Sequence, residues 1–225
     1  LVVCIVVSVG VVSGCEFNMD NLRNSSQVKA TQSDSEKEIW RVFKFYLAAT
    51  NEFNFTSVKY SHQHMETVQQ ARQNIPLAEF KERDYERLEQ ELIAAREAGH
   101  THSDLEAATD ALLPVLHDIV VAVKELDTYY KEKRYESDNY AFAHTQLEKL
   151  SSLMDVFEPK YDALDTIVKT YYKQEGERFV KLMRNNGQTN GANMLEMMII
   201  YSDIVDHIME HKSDSDFQWV KAQKE

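Results

Sequence analysis

The chain has 225 residues, 43% of them hydrophobic, and its 37 acidic against 25 basic side chains give a formal charge of −12. That balance argues against a nucleic-acid partner, which needs a basic face to displace counterions from phosphates. Gly and Pro number six and three, too few for the turns of an all-β domain or for a phosphate-cradling glycine loop, so composition predicts a helix-dominated chain with one good core or two small ones.

Residues 1–12 form an uncharged apolar run of about a dozen residues, the length of a signal-peptide core rather than a membrane span. The run ends in Val12-Ser13-Gly14-Cys15, which matches the bacterial lipobox: an apolar residue, two small residues that let the peptidase approach the backbone, then a cysteine. The Cys15 sulfur is expected to receive a diacylglyceryl group before cleavage on its N-terminal side. A buried strand with a chance cysteine is the competing reading, and position, run length and abrupt polarity change all weigh against it. The sequence has no initiator Met and no basic n-region, so a few residues are expected to precede Leu1. Cys4 would leave with the signal and Cys15 would be acylated. The mature chain would then hold neither a free thiol nor a disulfide, which excludes cysteine chemistry as its mechanism. The organisation expected is a lipoprotein signal over 1–14, a lipidated cysteine and flexible tether over 15–35, and a helical domain over 36–225.

From Glu16 to Ser35 the composition is polar, without a sustained apolar period, as a tether requires. Ser33-x-x-Glu36 and Ser35-x-x-Glu38 are overlapping capping boxes, so the first helix is predicted to start there. It carries Trp40, Phe43, Phe45, Tyr46, Leu47, Phe53 and Phe55 and runs towards Gln73; core packing is favoured over a ligand box for that aromatic load. Pro76 suits the first turn of a second helix that closes at Gly99, a natural left-handed residue after a helix. Its apolar face of Phe80, Tyr85, Leu88 and Leu92 is weak, which predicts a half-exposed element.

Ser103-x-x-Glu106 opens a third helix, in which Leu112, Leu116, Ile119, Val123, Leu126 and Tyr130 recur at heptad spacing. The fourth, predicted over 138–172, repeats the pattern through Ala143, Leu147, Leu150, Met154, Phe157, Tyr161, Leu164, Val168 and Tyr171. Two such seams joined by a short link should pack as an antiparallel pair. Pro114 and Pro159 lie inside these helices and should kink them. A break at Asn185-Asn186-Gly187 and Asn190-Gly191 precedes a last helix bearing Leu195, Met198, Tyr201, Val205 and Ile208. The whole reads as all-α: an elongated antiparallel helical bundle of long heptad-patterned helices after a lipoprotein signal and polar tether.

The link between the seams, Leu126-Asp127-Thr128-Tyr129-Tyr130-Lys131-Glu132-Lys133-Arg134-Tyr135-Glu136-Ser137-Asp138-Asn139, resembles the signature of the YiiG-like bacterial lipoproteins, a paired tyrosine, a third tyrosine five residues on, and an acidic residue opening the next long helix. Phe157-Glu158-Pro159, the stretch from Tyr46 to Asn51 and the lipobox agree with it. The resemblance covers about residues 105–172 and carries no assigned activity. It implies a chain that continues beyond Glu225, so C-terminal helices are expected to be missing unless this protein is short.

Physically, Tyr129, Tyr130, Tyr135 and Tyr140 can stack over the hairpin end. Lys131, Lys133 and Arg134 complement one helix dipole, and Asp138 the next. Tyr130 continues the seam, whereas Tyr129 lies one residue off it and is expected to be more exposed. The cluster Tyr129, Tyr130, Tyr135, Asp138 and Asn139 is thus a structural cap or, alternatively, a recognition surface.

His207-Ile208-Met209-Glu210-His211 fits H-x-x-E-H, in which two histidines four apart on a helix hold zinc while the glutamate activates water. No third ligand accompanies His207, Glu210 and His211, and the motif is short, so a solvated helix end is preferred. His62 and His64, like His100 and His102, are two apart and would face differently on a helix. His117 and His144 are expected to be hydrogen-bonded rather than ligating.

Taken together these residues predict a lipid-anchored binding or scaffolding protein of the bacterial cell envelope without enzymatic activity or cofactor. Its domain would lie outside the cytoplasmic membrane, and its partners would be the membrane, through its lipid, and an envelope protein or ligand. A periplasmic ligand-binding bundle with a pocket lined by the first helix is one alternative, and a zinc-dependent hydrolase is another. Replacing Cys15 with Ser, with export directed by another signal, should release the protein from the membrane fraction, because acyl chains supply the attachment. Retention of the Ser variant in detergent-extracted membrane, measured by fractionation, would sink the lipoprotein reading.

Overall fold

The structure is a computed structural model that describes residues 34–80 and 84–210, with the side chains of 57–62, 64, 65, 202 and 205–210 outside that description. The described elements are all helical: α1 Asp34–Arg72, α2 Tyr85–Glu97, α3 Ser103–Lys131, the single turn α4 Tyr135–Asp138, α5 Ala141–Asn185 and α6 Thr189–Glu210. The lipobox and tether fall outside the described residues. None of the described helices is long and apolar enough to cross a membrane. The chain forms an all-α helical bundle with two compact units that divide between Val168 and Lys169, inside α5.

In the first unit α1 ends one residue short of the expected Gln73. Asn74 adopts a left-handed backbone (φ 58°), and the Ile75 amide bonds back to the Gln70 carbonyl 3.0 Å away. Pro76 therefore follows a helix stop, where proline commonly sits, and does not open α2 as the sequence suggested. The true start is Asp84, whose side chain accepts from the Arg87 amide at 3.2 Å. Gly99 closes α2 as expected, at φ 136°, and a Cβ there would lie 3.3 Å from the Val42 side chain of α1.

Tyr85, Leu88, Leu92 and Ala95 bury the narrow apolar face of α2, while Ile93, Glu86, Arg87 and Glu97 stay exposed and its other charged residues are half-buried. The closest backbone approaches among the described elements are α1 with α2 and α2 with α3. The small side chains of α2 suit such approach. Between the two seam helices the Tyr129 ring of α3 lies 5.1 Å from the Phe142 ring of α5 at the hairpin end, and the close layering of α2 on α1 and α3 is what its weak periodicity concealed.

A ring cluster ties three helices together. Phe53 of α1 lies 5.5 Å from Tyr85 of α2 and 4.9 Å from Tyr161 of α5, and Phe157 of α5 lies 5.4 Å from Tyr85 and 5.5 Å from Tyr161. Most of these pairs are tilted or edge-on, the arrangement that ring quadrupoles favour. Beside the cluster the Tyr161 hydroxyl donates to Asn54 Oδ1 at 2.8 Å, and Asn54 Nδ2 donates to Asp165 Oδ1 at 2.9 Å. Arg96 of α2 makes a two-pronged bond to Asp110 of α3, at 2.7 and 3.0 Å, and pairs with Glu106 at 3.0 Å. Glu106 in turn accepts the Thr101 amide at 2.7 Å, so its reach-back falls two residues before the predicted capping Ser103, with His102 at the cap.

The predicted seam of α3 is buried throughout except for half-buried Val123. Along α5 the seam residues are likewise buried apart from half-buried Met154 and Tyr171. Both prolines are accommodated without ending their helices. The fourth helix does not stop at Tyr172 but continues to Asn185; its 45 residues span about 68 Å at 1.5 Å per residue. In the second unit Phe179, Val180 and Met183 of α5 are buried, as are Ala192 and Leu195 of α6. Gly187 (φ 72°) provides the break, and Asn190-Gly191 lies within the first turn of α6 rather than before it.

Replacing Phe157 with Ala should cost about 3–5 kcal/mol, because a buried ring with three aromatic neighbours leaves a cavity. Phe45, 43% exposed, should cost under about 1 kcal/mol on the same change. Denaturant midpoints of the two variants check this; equal losses would remove the ring cluster from its organising place.

Candidate functional site

The hairpin end brings together the five residues singled out from the sequence. At the C-terminus of α3, Lys133 turns left-handed (φ 54°), and Arg134 N donates to the Tyr129 carbonyl at 3.1 Å. One turn of α4 follows, and the chain reverses at Asn139 (φ 52°) and Tyr140 (φ 66°). Asn is among the residues that tolerate this region; Tyr is not, so the pair stores backbone strain. Asp138 holds the reversal: Oδ1 accepts from the Tyr129 hydroxyl at 2.6 Å and from Tyr140 N at 3.0 Å, and Oδ2 accepts from Phe142 N at 3.1 Å. Asp138 thus caps α5 from outside the helix it was expected to open.

Four tyrosines stack as predicted. Tyr129 and Tyr130 meet edge-on at 5.3 Å, Tyr135 and Tyr140 lie parallel at 5.1 Å, and Phe80 closes over Tyr130 at 6.3 Å. The expectation that Tyr129 is exposed is overturned: it is 0% exposed. Tyr129 extends a second buried heptad line, Val115, Ala122 and Tyr129, that runs beside the predicted seam, because α3 is covered on more than one side. Sequence periodicity had marked the stronger line and missed its neighbour, whose Ala122 carries little apolar signal.

The two adjacent hydroxyls differ in kind. Tyr129 OH donates to Asp138, whereas Tyr130 OH is buried with no hydrogen-bond partner among the described residues. Burial raises both phenols, Tyr130 to about 12 and Tyr129 further because the Asp138 charge opposes ionisation. The Tyr129 hydrogen bond in turn holds the Asp138 carboxyl below the usual carboxylate value, with the Phe142 and Tyr140 amides adding to it.

Outside the ring stack lies an open groove of about 390 Å³ lined by Val121, Lys124, Glu125, Thr128, Arg134 and Phe142. The Arg134 guanidinium sits 5.2 Å from the Phe142 ring centre and 5.8 Å from that of Tyr129. Lys124 is bonded to Glu86 of α2 at 2.8 Å. The groove therefore offers an apolar floor with a charged rim, a combination suited to an amphipathic partner.

Trp40, Phe43, Tyr46 and Phe53 are buried in the core, so the first helix does not line the groove. His117 Nδ1 meets Glu89 Oε1 at 2.7 Å and His144 Nε2 meets Asn74 Oδ1 at 2.8 Å, in keeping with hydrogen-bonded roles. His100 and His102 lie before α3 rather than on a helix. The side chains of His62, His64, His207 and Glu210, and His211 altogether, lie outside the described residues; no cluster of three or more His, Cys, Asp or Glu residues fit to hold a metal occurs among the described ones. Compared with known families, curated proteins and solved structures, the chain finds no match.

Substituting Phe at the two hydroxyls should separate them. Tyr129→Phe should cost about 1.5–3 kcal/mol through its lost bond to a charged acceptor, and Tyr130→Phe should be neutral or slightly stabilising, because an unpaired buried hydroxyl disappears. Tyr129→Ala should cost about 3–5 kcal/mol. Asp138, with a depressed folded-state pKa, adds stability that is complete above its unfolded value and lost as pH falls through its folded one. The midpoint gap between the parent and Asp138→Asn should therefore be constant above about pH 5 and close below about pH 4. Thermal midpoints across that range decide it, and a gap that widens at low pH would contradict the assignment.

Proposed function

We propose that the chain is a lipid-anchored binding or scaffolding protein of the bacterial cell envelope, and that the groove beside the hairpin end is where it receives a partner. The lipobox at Val12-Ser13-Gly14-Cys15 and the polar tether support the anchoring. The resemblance of residues 126–139 to the YiiG-like lipoproteins supports the same assignment.

The observation that carries the binding reading is the exposed Arg134 guanidinium laid against Phe142 and Tyr129 at the groove. Arg and aromatic side chains are the commonest anchors at interfaces, and a guanidinium already seated on rings loses less freedom when a partner arrives. Strain at Asn139 and Tyr140, held by Asp138, fixes the backbone beneath that anchor. A partner with an apolar side chain for Val121 and Phe142 and an acidic group for Arg134 suits this surface. Catalysis has no comparable support among the described side chains.

A photo-crosslinking residue placed at exposed Thr128 in the full anchored chain should give a discrete adduct in cells. Arg134→Ala should abolish that adduct while moving the unfolding free energy by less than about 1 kcal/mol. An adduct that survives Arg134→Ala unchanged would show that this groove is not the binding surface.

A further inference from the structure

In the second unit the two most exposed large apolar side chains among the described residues of α6 are methionines. Met194 is 54% exposed and Met197 is 71% exposed, and Met198 beside them is half-buried. Three of the chain's eight methionines thus occupy five consecutive residues. Core packing does not account for Met194 and Met197, because the buried side of α6 is supplied by Ala192 and Leu195, with half-buried Met198 at its edge, and Ile199 lies on Gly176 of α5. Residues spaced i, i+3 and i+4 are helical neighbours with Cβ atoms about 5–6 Å apart. A methionine side chain, unbranched and with three rotatable bonds, spans that distance readily. Three thioether sulfurs on one helical turn can therefore converge on a single ion.

The surroundings select among ions. The acids among the described side chains of α6 are Glu196 and Asp203, and each is already engaged by a cation of α5: Glu196 by Arg184 at 2.5 Å and Asp203 by Lys173 at 2.6 Å. The turn thus presents neutral, polarisable sulfur, with its nearby carboxylates tied to cations. Thioether ligands favour soft monovalent ions and offer little to oxygen-seeking or imidazole-seeking ones.

We propose that Met194, Met197 and Met198 form a surface site for a soft monovalent metal ion, Cu(I) or its redox-inert analogue Ag(I). The ion is held by sulfur donation from α6, with solvent or a further donor completing its shell; no bond is made or broken in the protein and no electron is transferred. The site belongs to the second unit alone and does not depend on the binding role proposed for the groove of the first.

The test uses the full chain in detergent with carbon-13-labelled methionine methyls, titrated with silver nitrate in chloride-free buffer. The methyl resonances of Met194, Met197 and Met198 should shift together and saturate near about one equivalent, while that of buried Met183 stays in place. The triple variant M194L/M197L/M198L keeps the volume and apolarity of the face but removes its sulfur, and should bind Ag(I) roughly tenfold or more weakly. Met197→Leu alone, at the most exposed of the three positions, should weaken binding without disturbing packing and serves if the triple variant misfolds. Zinc at the same concentration should leave the methyls unmoved. A response spread evenly over all methionines, Ag(I) binding undiminished in the Leu variants, or an equal shift with zinc would each overturn the site and leave the face a merely apolar one.

Discussion

A single carboxylate governs how the first unit closes. Asp138 takes one phenolic and two backbone donors within the few residues where α3 gives way to α5, and each bond fixes a different part of the reversal. The bond from Tyr129 attaches it to the preceding helix, the bond from Tyr140 N stabilises a left-handed residue, and the bond from Phe142 N occupies an otherwise unpaired amide of α5. Because a one-residue slip rotates a helical face by about 100°, the register of the whole α5 seam depends on where this reversal ends. The ring cluster of Phe53, Tyr85, Phe157 and Tyr161 forms only when that register places Phe157 and Tyr161 towards α1 and α2.

The same carboxylate links architecture to the proposed binding role. Tyr129 and Phe142 each contribute a hydrogen bond to Asp138 and a ring to the Arg134 guanidinium. The backbone that carries the anchor is thus held by the group that reverses the chain. Tyr130, next to it but without a hydroxyl partner among the described residues, contributes apolar area and stacking alone.

The helices were legible where one strong signal decided the outcome. The Leu112 to Tyr130 line, the Gly99 terminator, the extent of α1 and the Asn185-Asn186-Gly187 break followed from periodicity and from glycine geometry. Errors arose where one residue type serves two purposes. Pro76 suits a helix start and the stretch after a helix end, and the left-handed Asn74 that settles the matter resembles any polar residue in sequence. Ser103 and Glu106 have capping-box spacing, yet Glu106 bonds the Thr101 amide because a second ion pair, with Arg96, draws it to that side. The helix expected to end at Tyr172 continues because nothing between Lys173 and Asn185 breaks it; Gly176 is tolerated there, with Ile199 covering it. At the hairpin end the five residues were legible as a cluster and Arg134 as a charge beside it, but the groove was not, since Val121, Thr128 and Phe142 converge only through the reversal. Of the methionine turn of α6 the sequence reading took only Met198, for its apolar spacing, and the exposure of Met194 and Met197 is visible only once the helix is placed.

The spans that the polar contacts close also differ widely. The Tyr129–Asp138 bond joins residues nine apart, whereas the bond from Asn54 to Asp165 joins residues 111 apart. Closing the longer loop costs about 2 kcal/mol more in chain entropy than closing the shorter one. The reversal therefore has the smaller entropic barrier of the two, whereas the contacts of α1 with α5 lie across the longer loop. In a chain emerging N-terminus first, α1 is synthesised early yet must wait for α5 before Phe53 has all its neighbours. Until Phe157 and Tyr161 arrive the Phe53 ring stays partly uncovered, so the interval between synthesis of α1 and completion of α5 is when that face is open to mispairing with other chains.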